Sequence, residues 1–234
     1  MQFIVHPEIF ERFPGMRLPV VVAHNLDNQA DQPEIEASWQ AAWTDAAKAA
    51  VYGNAQSHPH VQPWREHFRA QGISGKEFPS SIEAVLRRAL KNSTPFHINA
   101  LVDFYNTISL RHVVPVGAFD LDQLHGPLEL RLTRSGDTFM ALDEDTPQAV
   151  PAGEVAYANG QTILTRHFVW RQSQVGLITS STRSVFLVSE VLGELGSAIA
   201  EQVLNELSSG LQTYFALPSN TFLVNEQQPA ISFR

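Results

Sequence analysis

The stretch EVAYANGQTILT, residues 154–165, decides the class of fold. Two short runs of strand-forming residues flank the pair Asn159-Gly160, and such a pair between such runs is typical of a two-residue β-hairpin turn. Upstream, residues 128–134 alternate between apolar and polar side chains, and a Ser-Gly-Asp turn at 135–137 leads into a second run at 138–142. This half of the chain is therefore predicted to be rich in strands.

Helical patterns dominate the first half of the chain. We predict that Asp31 caps one helix, because apolar residues recur after it at helical spacing. Ser80 and Glu83 form an S-x-x-E capping box, which predicts the start of a second helix. A third helix is predicted over residues 98–111.

The remaining segments fit one folding unit. Strands are further predicted at residues 3–5, 17–24 and 185–188, and a helix at 197–211. The tail, residues 218–234, is polar and is expected to be partly loose. No linker or repeat divides the chain, so we predict a single α+β domain over residues 1–234, with mixed or antiparallel sheets flanked by helices.

The composition excludes several classes of protein. The chain has 234 residues, of which 44% are hydrophobic, and this fraction is enough to build a core. Sixteen Lys and Arg against 24 Asp and Glu give a net charge of −8, which argues against a protein that coats DNA by charge alone. Without cysteine there is no disulfide framework and no thiol nucleophile. With no apolar run long enough for a membrane and no visible signal peptide, we expect a cytoplasmic protein.

Common motifs for cofactors and metals are missing from the sequence. There is no G-x-G-x-x-G, no H-E-x-x-H and no G-x-S-x-G. Nine histidines are many for this length, and His58, His60 and His67 lie close in sequence, but nothing indicates that they converge on one ion. We therefore predict neither a metal nor a cofactor.

The predicted helix over residues 98–111 has an unusual polar stripe. Asn99, Asp103 and Asn106 stand at i, i+4 and i+7 and share one side of the helix. One interpretation is a solvated face. The other is a hydrogen-bonding site, because Asn and Asp are poor helix formers and are uncommon on surface faces. The residues alone leave both interpretations open.

A second segment, residues 165–173, mixes aromatic and polar side chains. If it is extended, Arg166, Phe168, Trp170 and Gln172 share one face, which a purely apolar core strand would not show. The segment is either an edge strand that bends out of its sheet or a pocket wall that carries an anion-accepting arginine.

At these segments the chain resembles the B3/B4 domain of the phenylalanyl-tRNA synthetase β subunit. Residues 99–110 are similar to the V-D-x-x-N-Y-x-x-L helix of that domain, and residues 115–122, PVGAFDLD, to its P-M-H-A-F-D-L-D. Residues 153–160 resemble its D-L-V-I-A-D-G turn, and residues 182–187 its T-K-N-I-L-L. The ordered set extends over residues 95–192, and the chain as a whole resembles stand-alone B3/B4 proteins.

The resemblance implies an α+β fold and a pocket that, in the synthetase, hydrolyses tyrosine wrongly esterified to phenylalanine tRNA. Two positions depart from the pattern. Gly117 stands where the family has a histidine, and WRQS at residues 170–173 replaces a glycine-rich G-G-x-E-S, with Gln172 as an approximate match for its glutamate. The tyrosine specificity therefore does not carry over to this chain.

The chemistry of ester hydrolysis assigns roles to several residues. It needs a positioned water and donors aimed at the developing oxyanion, and a protein nucleophile is not required. Asp103, with Asn99 and Asn106, is predicted to hold the α-ammonium group of the substrate. The complete set of predicted substrate-binding residues is Asn99, Asp103, Asn106, Gly117, Arg171 and Gln172. The catalytic candidates are His167, His112 and Ser173, with a histidine as general base.

The expected partner is an aminoacyl-tRNA. Arg87, Arg88 and Lys91 are the predicted tRNA contacts, although a solvated basic helix face explains them equally well. The first function hypothesis is editing in trans, in which the protein hydrolyses the ester of a mischarged aminoacyl-tRNA. The alternatives are a non-catalytic module that binds an amino acid or RNA, which Gly117 favours, and a hydrolase of free metabolites.

Overall fold

The computed structural model describes residues 1–29, 32–91 and 94–233. The helices within these ranges are α1 (Pro7–Arg12), α2 (Pro33–Ala46), α3 (Gln62–Ala70), α4 (Ser81–Ala89), α5 (Ala100–His112) and α6 (Ser197–Phe215). The strands of the first half are β1 (Gln2–Val5), β2 (Leu18–His24) and β3 (Val116–Asp120). The later strands are β4 (Leu128–Leu132), β5 (Thr138–Phe139), β6 (Gln148–Ala149), β7 (Val155–Asn159), β8 (Thr162–Ile163), β9 (Thr165–Arg166), β10 (Arg171–Gln172), β11 (Ser184–Ser189), β12 (Ser219–Val224) and β13 (Ala230–Ser232).

The strands form two main sheets and a small hairpin. The central sheet is antiparallel and has the strand order β12-β2-β11-β3. The second sheet is mixed, in the order β13-β1-β4-β7-β8-β5-β6, with β1 parallel to β4 and β5 parallel to β8. Among the strands of the described residues, β9 and β10 pair with each other and with no third strand. The predicted α+β class with mixed and antiparallel sheets is therefore confirmed.

The central sheet is the middle of three layers, and both of its faces are therefore apolar. In β2, Val20 and Val22 pack toward the mixed sheet, whereas Val21 and Ala23 pack toward helices α5 and α6. Successive side chains of a strand point to opposite faces, so a strand covered on both sides must be apolar throughout. This requirement explains the uninterrupted run of apolar residues in β2.

Helix α5 is enclosed on all sides, and every residue from 101 to 110 is buried. It packs against β3 and against helices α2, α4 and α6. The approach of α6 is so close that a Cβ added at Gly210 would lie 2.2 Å from Cε2 of Phe104. The interpretation of the polar stripe as a solvated face is therefore wrong, and its side chains must find partners inside the protein.

Several local predictions are confirmed. The predicted hairpin joins β7 to β8, with Gly160 and Gln161 as its two loop residues and Asn159 paired with Thr162 at the end of β7. Ser80 caps α4, and its side chain accepts a hydrogen bond from the backbone N–H of Glu83 at 3.3 Å. The predicted cap at Asp31 lies outside the described residues.

The tail was predicted wrongly as partly loose. Strand β12 pairs with β2 over Ser219 to Val224, and β13 pairs with β1. These strands are polar on one side because they form the edges of their sheets, and edge strands tolerate solvated side chains.

Residues 165–173 are not extended throughout, so the two shared faces considered for an extended segment do not form. The chain folds back between β9 and β10, with φ of 44° at His167 and 61° at Phe168. The carboxylate of Glu154 holds this turn, because it accepts hydrogen bonds from the guanidinium of Arg166 and from the backbone N–H of His167.

Candidate functional site

A cavity of about 310 Å³ opens between α4, α5, β3, β7, the β9–β10 hairpin and the residue that follows β11. Six aromatic side chains line it: Phe96, Tyr105, Phe119, Tyr157, Phe168 and Trp170. Its polar lining includes Asn106, Arg171, Gln172 and Glu190. A mostly apolar cavity with a few polar groups that face one space is the usual form of a small-molecule site.

Gly117 adds space to this cavity. It lies in β3 opposite Val188 of β11, and a Cβ built at Gly117 would meet no atom within 4 Å. Its φ is not positive, so the backbone does not require glycine at this position. The absence of a side chain therefore widens the cavity, and the conformation of β3 does not depend on it.

Glu190 is a buried carboxylic group in the cavity wall. Only 4% of the residue is exposed, and the hydroxyl of Tyr157 donates a hydrogen bond to its Oε1 at 2.6 Å. Burial raises the pKa of Glu190 to about 8, although the hydrogen bonds from Tyr157 and from its own backbone amide act to lower it. At neutral pH the group is therefore mostly protonated.

Glu190 is not among the site residues predicted from the sequence. The available signal is a single acidic residue between the apolar runs of residues 185–188 and 191–192. A carboxyl group in such a position is buried with its neighbours, and buried carboxyl groups are rare unless they are paired or functional.

Three other predicted substrate-binding residues reach the same cavity. Asn106 is buried on the side of α5 that faces it. Gln172 donates a hydrogen bond from Nε2 to the carbonyl oxygen of Ala118 at 2.9 Å, which fixes its amide against β3. The side chain of Arg171 is 37% exposed and pairs with the carboxylate of Asp143, which is more exposed still.

Of the three predicted tRNA contacts, Arg88 lines the cavity. It is exposed, and its guanidinium lies 5.3 Å from the centre of the Phe96 ring. Arg88 forms no ion pair within the part of the chain that the structure describes. Arg87 is bound to Glu83 at 2.6 Å, and Lys91 is exposed on the surface.

Asn99 and Asp103 lie in a separate cleft at the start of α5. Asn99 is the N-cap residue, and its Oδ1 accepts hydrogen bonds from the backbone N–H of Val102 and from Nδ2 of Asn28, both at 3.0 Å. The cleft is bounded by α2, and Ile98 separates it from the cavity by lining both. The prediction that the whole polar stripe lines one pocket is therefore wrong for Asn99 and Asp103.

The carboxylate of Asp103 is bonded on both oxygens. His97 contributes Nδ1 at 3.0 Å to Oδ2, and the backbone N–H of Ile98 donates to Oδ1 at 3.2 Å. Burial raises the pKa of Asp103, and the hydrogen bonds from His97 and Ile98 oppose this shift. These contacts fix the segment that enters α5, so they satisfy the carboxylate locally.

The three catalytic candidates do not line the cavity. The ring of His167 lies 3.9 Å from that of Phe78, and burial lowers the pKa of this histidine. His112 contacts Glu206 through Nε2 at 2.8 Å, at the far end of α5. The hydroxyl of Ser173 donates to the carbonyl oxygen of Met140 at 3.0 Å. Their catalytic roles stay predictions.

No group of three or more His, Asp or Glu side chains in residues 1–29, 32–91 and 94–233 is placed to hold a metal ion. None of the helices in these ranges has the length and apolar character needed to cross a lipid bilayer.

Comparison with known proteins identifies relatives of the chain. It is 33% identical over 79 residues to the phenylalanine–tRNA ligase β subunit of Chromobacterium violaceum, an alignment that covers 34% of this chain and 10% of that protein. A solved N-terminal fragment of the phenylalanyl-tRNA synthetase β subunit from Pyrococcus horikoshii superposes with a TM-score of 0.49 and 9% identity, covering 95% of this chain and 54% of that one. The chain thus spans only about a tenth of its curated relative.

The sequence profile of the B3/4 domain matches residues 64–210. These residues include α4, α5, the β9–β10 hairpin and β11, which together build most of the cavity wall. Since the match extends over more than half of the chain, this protein belongs to the B3/4 domain family.

Proposed function

We propose that this protein edits in trans: its cavity binds the aminoacyl end of a mischarged aminoacyl-tRNA, and the ester is hydrolysed there. The order of charges along the cavity is the observation that supports this function. Arg88 is an exposed cation of the lining and Arg171, which pairs with Asp143, is a half-buried one, whereas Glu190 is its buried carboxyl group. The 3′ end of an aminoacyl-tRNA has the matching order, with phosphates outside and an ammonium group on the amino acid.

The volume and walls of the cavity suit an amino acid side chain. About 310 Å³ lies at the lower limit of typical small-molecule sites. Phe119 and Phe168 provide apolar surface for a large side chain, and the open space at Gly117 gives it room. The ribose and the phosphates would stay outside, next to Arg88 and Arg171.

The reaction proposed here needs no protein nucleophile. A water molecule attacks the ester carbonyl, a new C–O bond forms to the water oxygen, and the bond to the ribose oxygen breaks. The water proton passes to the departing ribose oxygen, so the products are a free amino acid and a tRNA with its terminal hydroxyl restored. Asn106 and Arg171 are the donors we assign to the developing oxyanion, because both line the cavity and both present N–H groups.

A non-catalytic binding module is the second candidate. The observation that favours it is the placement of His112, His167 and Ser173 outside the cavity lining. Such a module would bind an aminoacyl group without hydrolysing the ester. The third hypothesis, a hydrolase of free metabolites, is disfavoured by the arginines in the lining, which such a substrate would not need.

The test is a deacylation screen of the purified protein against correctly and wrongly charged tRNAs. We expect selective hydrolysis of one mischarged species. The double variant Arg88→Gln/Arg171→Gln should raise the half-saturating tRNA concentration, because it removes the cations at the opening, whereas Arg134→Gln should not. Arg134 is the matched control, since it is exposed and does not line the cavity.

The outcomes separate the two candidates. Binding of charged tRNA without hydrolysis of any species would replace the editing proposal with the binding module. A protein that neither binds nor hydrolyses any of the charged tRNAs would overturn both.

A further inference from the structure

Glu190 differs from the other buried carboxylates of the described chain in its partners. Glu83 pairs with Arg65 and Arg87, and Asp137 pairs with Arg131. The carboxylate of Asp103 has His97 and a backbone N–H, and that of Asp120 accepts hydrogen bonds from Thr182, Gln123 and a backbone N–H. Glu190 receives a single hydrogen bond from another residue, and no Lys, Arg or His of the described residues lies within 4.0 Å of it.

A carboxyl group in this environment is suited to a cation that comes with a ligand. Burial without a charged partner penalises the ionised form, so the free protein keeps the group neutral. The aromatic rings of the cavity lining strengthen the attraction for such a cation, because aromatic faces attract cations. Tyr157 lies between Phe119 and Phe168, with ring centres 5.1 Å and 6.0 Å away.

We propose that Glu190 is the residue that binds the α-ammonium group of the substrate. This inference rests on the proposed function, since that function brings an aminoacyl group into the cavity. When the ammonium enters, the carboxylic proton leaves to solvent, and a carboxylate–ammonium pair forms beside the hydroxyl of Tyr157. The role predicted for Asp103 passes to Glu190, because Asp103 lies in the neighbouring cleft.

The other titratable or charged groups of the cavity lining are Arg88, Tyr105, Tyr157 and Arg171. Burial raises the pKa of both Tyr105 and Tyr157, and the nearby carboxyl groups raise it further. Both arginines stay charged at any working pH. Glu190 is therefore the lining group, among the described residues, whose charge changes between pH 6 and about 9.

The experiment measures proton release when a small amine binds. The probes are amino-acid amides, such as phenylalaninamide and leucinamide, which keep the ammonium group, and their des-amino counterparts, such as 3-phenylpropanamide. Calorimetric titration at pH 6.5 in two buffers of different ionisation enthalpy gives the number of protons released. We expect close to one proton for each amide bound to the wild type, because both Glu190 and the ligand are protonated before binding.

The variant Glu190→Gln keeps the shape of the side chain and an acceptor for Tyr157. It should release no proton and should bind the amides roughly tenfold or more weakly, as expected for the loss of a charged hydrogen bond. Its affinity for the des-amino compounds should not change. Glu206→Gln is the matched control, since Glu206 pairs with Arg111 and His112 away from the cavity. Circular dichroism confirms that each variant is folded.

Unchanged amide affinity or unchanged proton release in Glu190→Gln would overturn the inference, as would a wild type that binds none of the amides. The outcome of the screen with charged tRNAs is independent of these binding measurements. If the wild type and Glu190→Gln hydrolyse the mischarged tRNA equally well, the proposed function is supported but Glu190 has no part in it. Amide binding with proton release but without hydrolysis would leave the ammonium site standing without the reaction.

Discussion

Two buried carboxyl groups lie on either side of Ile98, one in the cleft and one in the cavity, and they differ in their hydrogen-bond partners. Asp103 in the cleft is bonded by His97 and by the backbone N–H of Ile98, at the entrance of a helix. In the cavity, Tyr157 is the one other residue, among those that the structure describes, that donates a hydrogen bond to the carboxyl group of Glu190. Burial raises the pKa of both groups, but only for Asp103 do the protein's own donors compensate on both oxygens. The partners of a buried acid, and not its burial, therefore distinguish a structural group from one that awaits a ligand.

The largest expected effect concerns the pH dependence of stability at Glu190. An unfolded glutamate titrates near 4.5, whereas the pKa of Glu190 in the folded protein is about 8. Between these values the folded state binds more protons than the unfolded state, so the free energy of unfolding falls as the pH rises. Glu190→Gln removes this loss and should be more stable than the wild type by roughly 4 kcal/mol at pH 8, and nearly equal to it near pH 4.5.

Urea unfolding of both proteins across this pH range provides the measurement. Two stability curves that stay parallel from pH 4.5 to 8 would show that Glu190 is not buried as an unpaired acid, and the contrast with Asp103 would disappear.

Asp103→Ala should have the opposite sign. The substitution leaves the backbone N–H of Ile98 and the ring of His97 without their acceptor, so we expect a loss of about 2 kcal/mol in the free energy of unfolding at pH 7. Asp103→Asn, which keeps one acceptor oxygen, should lose less. The same urea experiment measures both, and a neutral Asp103→Ala would contradict a structural role for this carboxylate.

Asn99→Ala tests the cleft at its helix cap. The substitution removes the side-chain oxygen that accepts from the backbone N–H of Val102, and loss of such a cap costs about 1 kcal/mol. Thermal unfolding should show a lower midpoint, while amide binding in the cavity stays at the wild-type value. A change in amide affinity would indicate that cleft and cavity act together.

The smallest effect on stability is expected at Gly117. Because a Cβ there meets no atom within 4 Å, Gly117→Ala should change the free energy of unfolding by less than about 0.5 kcal/mol. Gly117→Phe should fold as well, yet weaken the binding of phenylalaninamide by filling the cavity. Loss of the fold in Gly117→Ala would show that the space is not open.

The parts of the fold that follow local rules could be predicted from the sequence. The hairpin at Asn159-Gly160 depends on one turn, and the capping box at Ser80 on residues three apart, so both could be recognised in the chain itself. The bounds of α5 were also close, because its segment is long and ends in a clear change of pattern. The edge strands β12 and β13 were missed, since their stability comes from pairing with β2 and β1, far away in sequence.

The site was harder to predict for the same reason. Asn106, Arg171 and Gln172 line one cavity, and the resemblance to the B3/B4 domain is what brought their segments together in the prediction, whose binding roles stay untested. Asn99 and Asp103 share a helical face with Asn106, but helical spacing does not show which neighbour covers each turn of that face. Glu190 has one weak local signal, an acidic residue between two apolar runs, and its setting exists only once β7 and β11 face each other across the core.

The pairing of the first two strands has a consequence for synthesis of the protein. Strand β1 lies between β4 and β13, and β2 lies between β11 and β12. On a ribosome, the apolar run of β2 therefore leaves the exit tunnel long before either partner strand has been made. Such a segment is exposed to aggregation until most of the chain has followed it, and pairings over such long sequence separations form slowly. Slow translation and expression at low temperature give the nascent chain more time to interact with chaperones. Both should therefore increase the yield of folded protein.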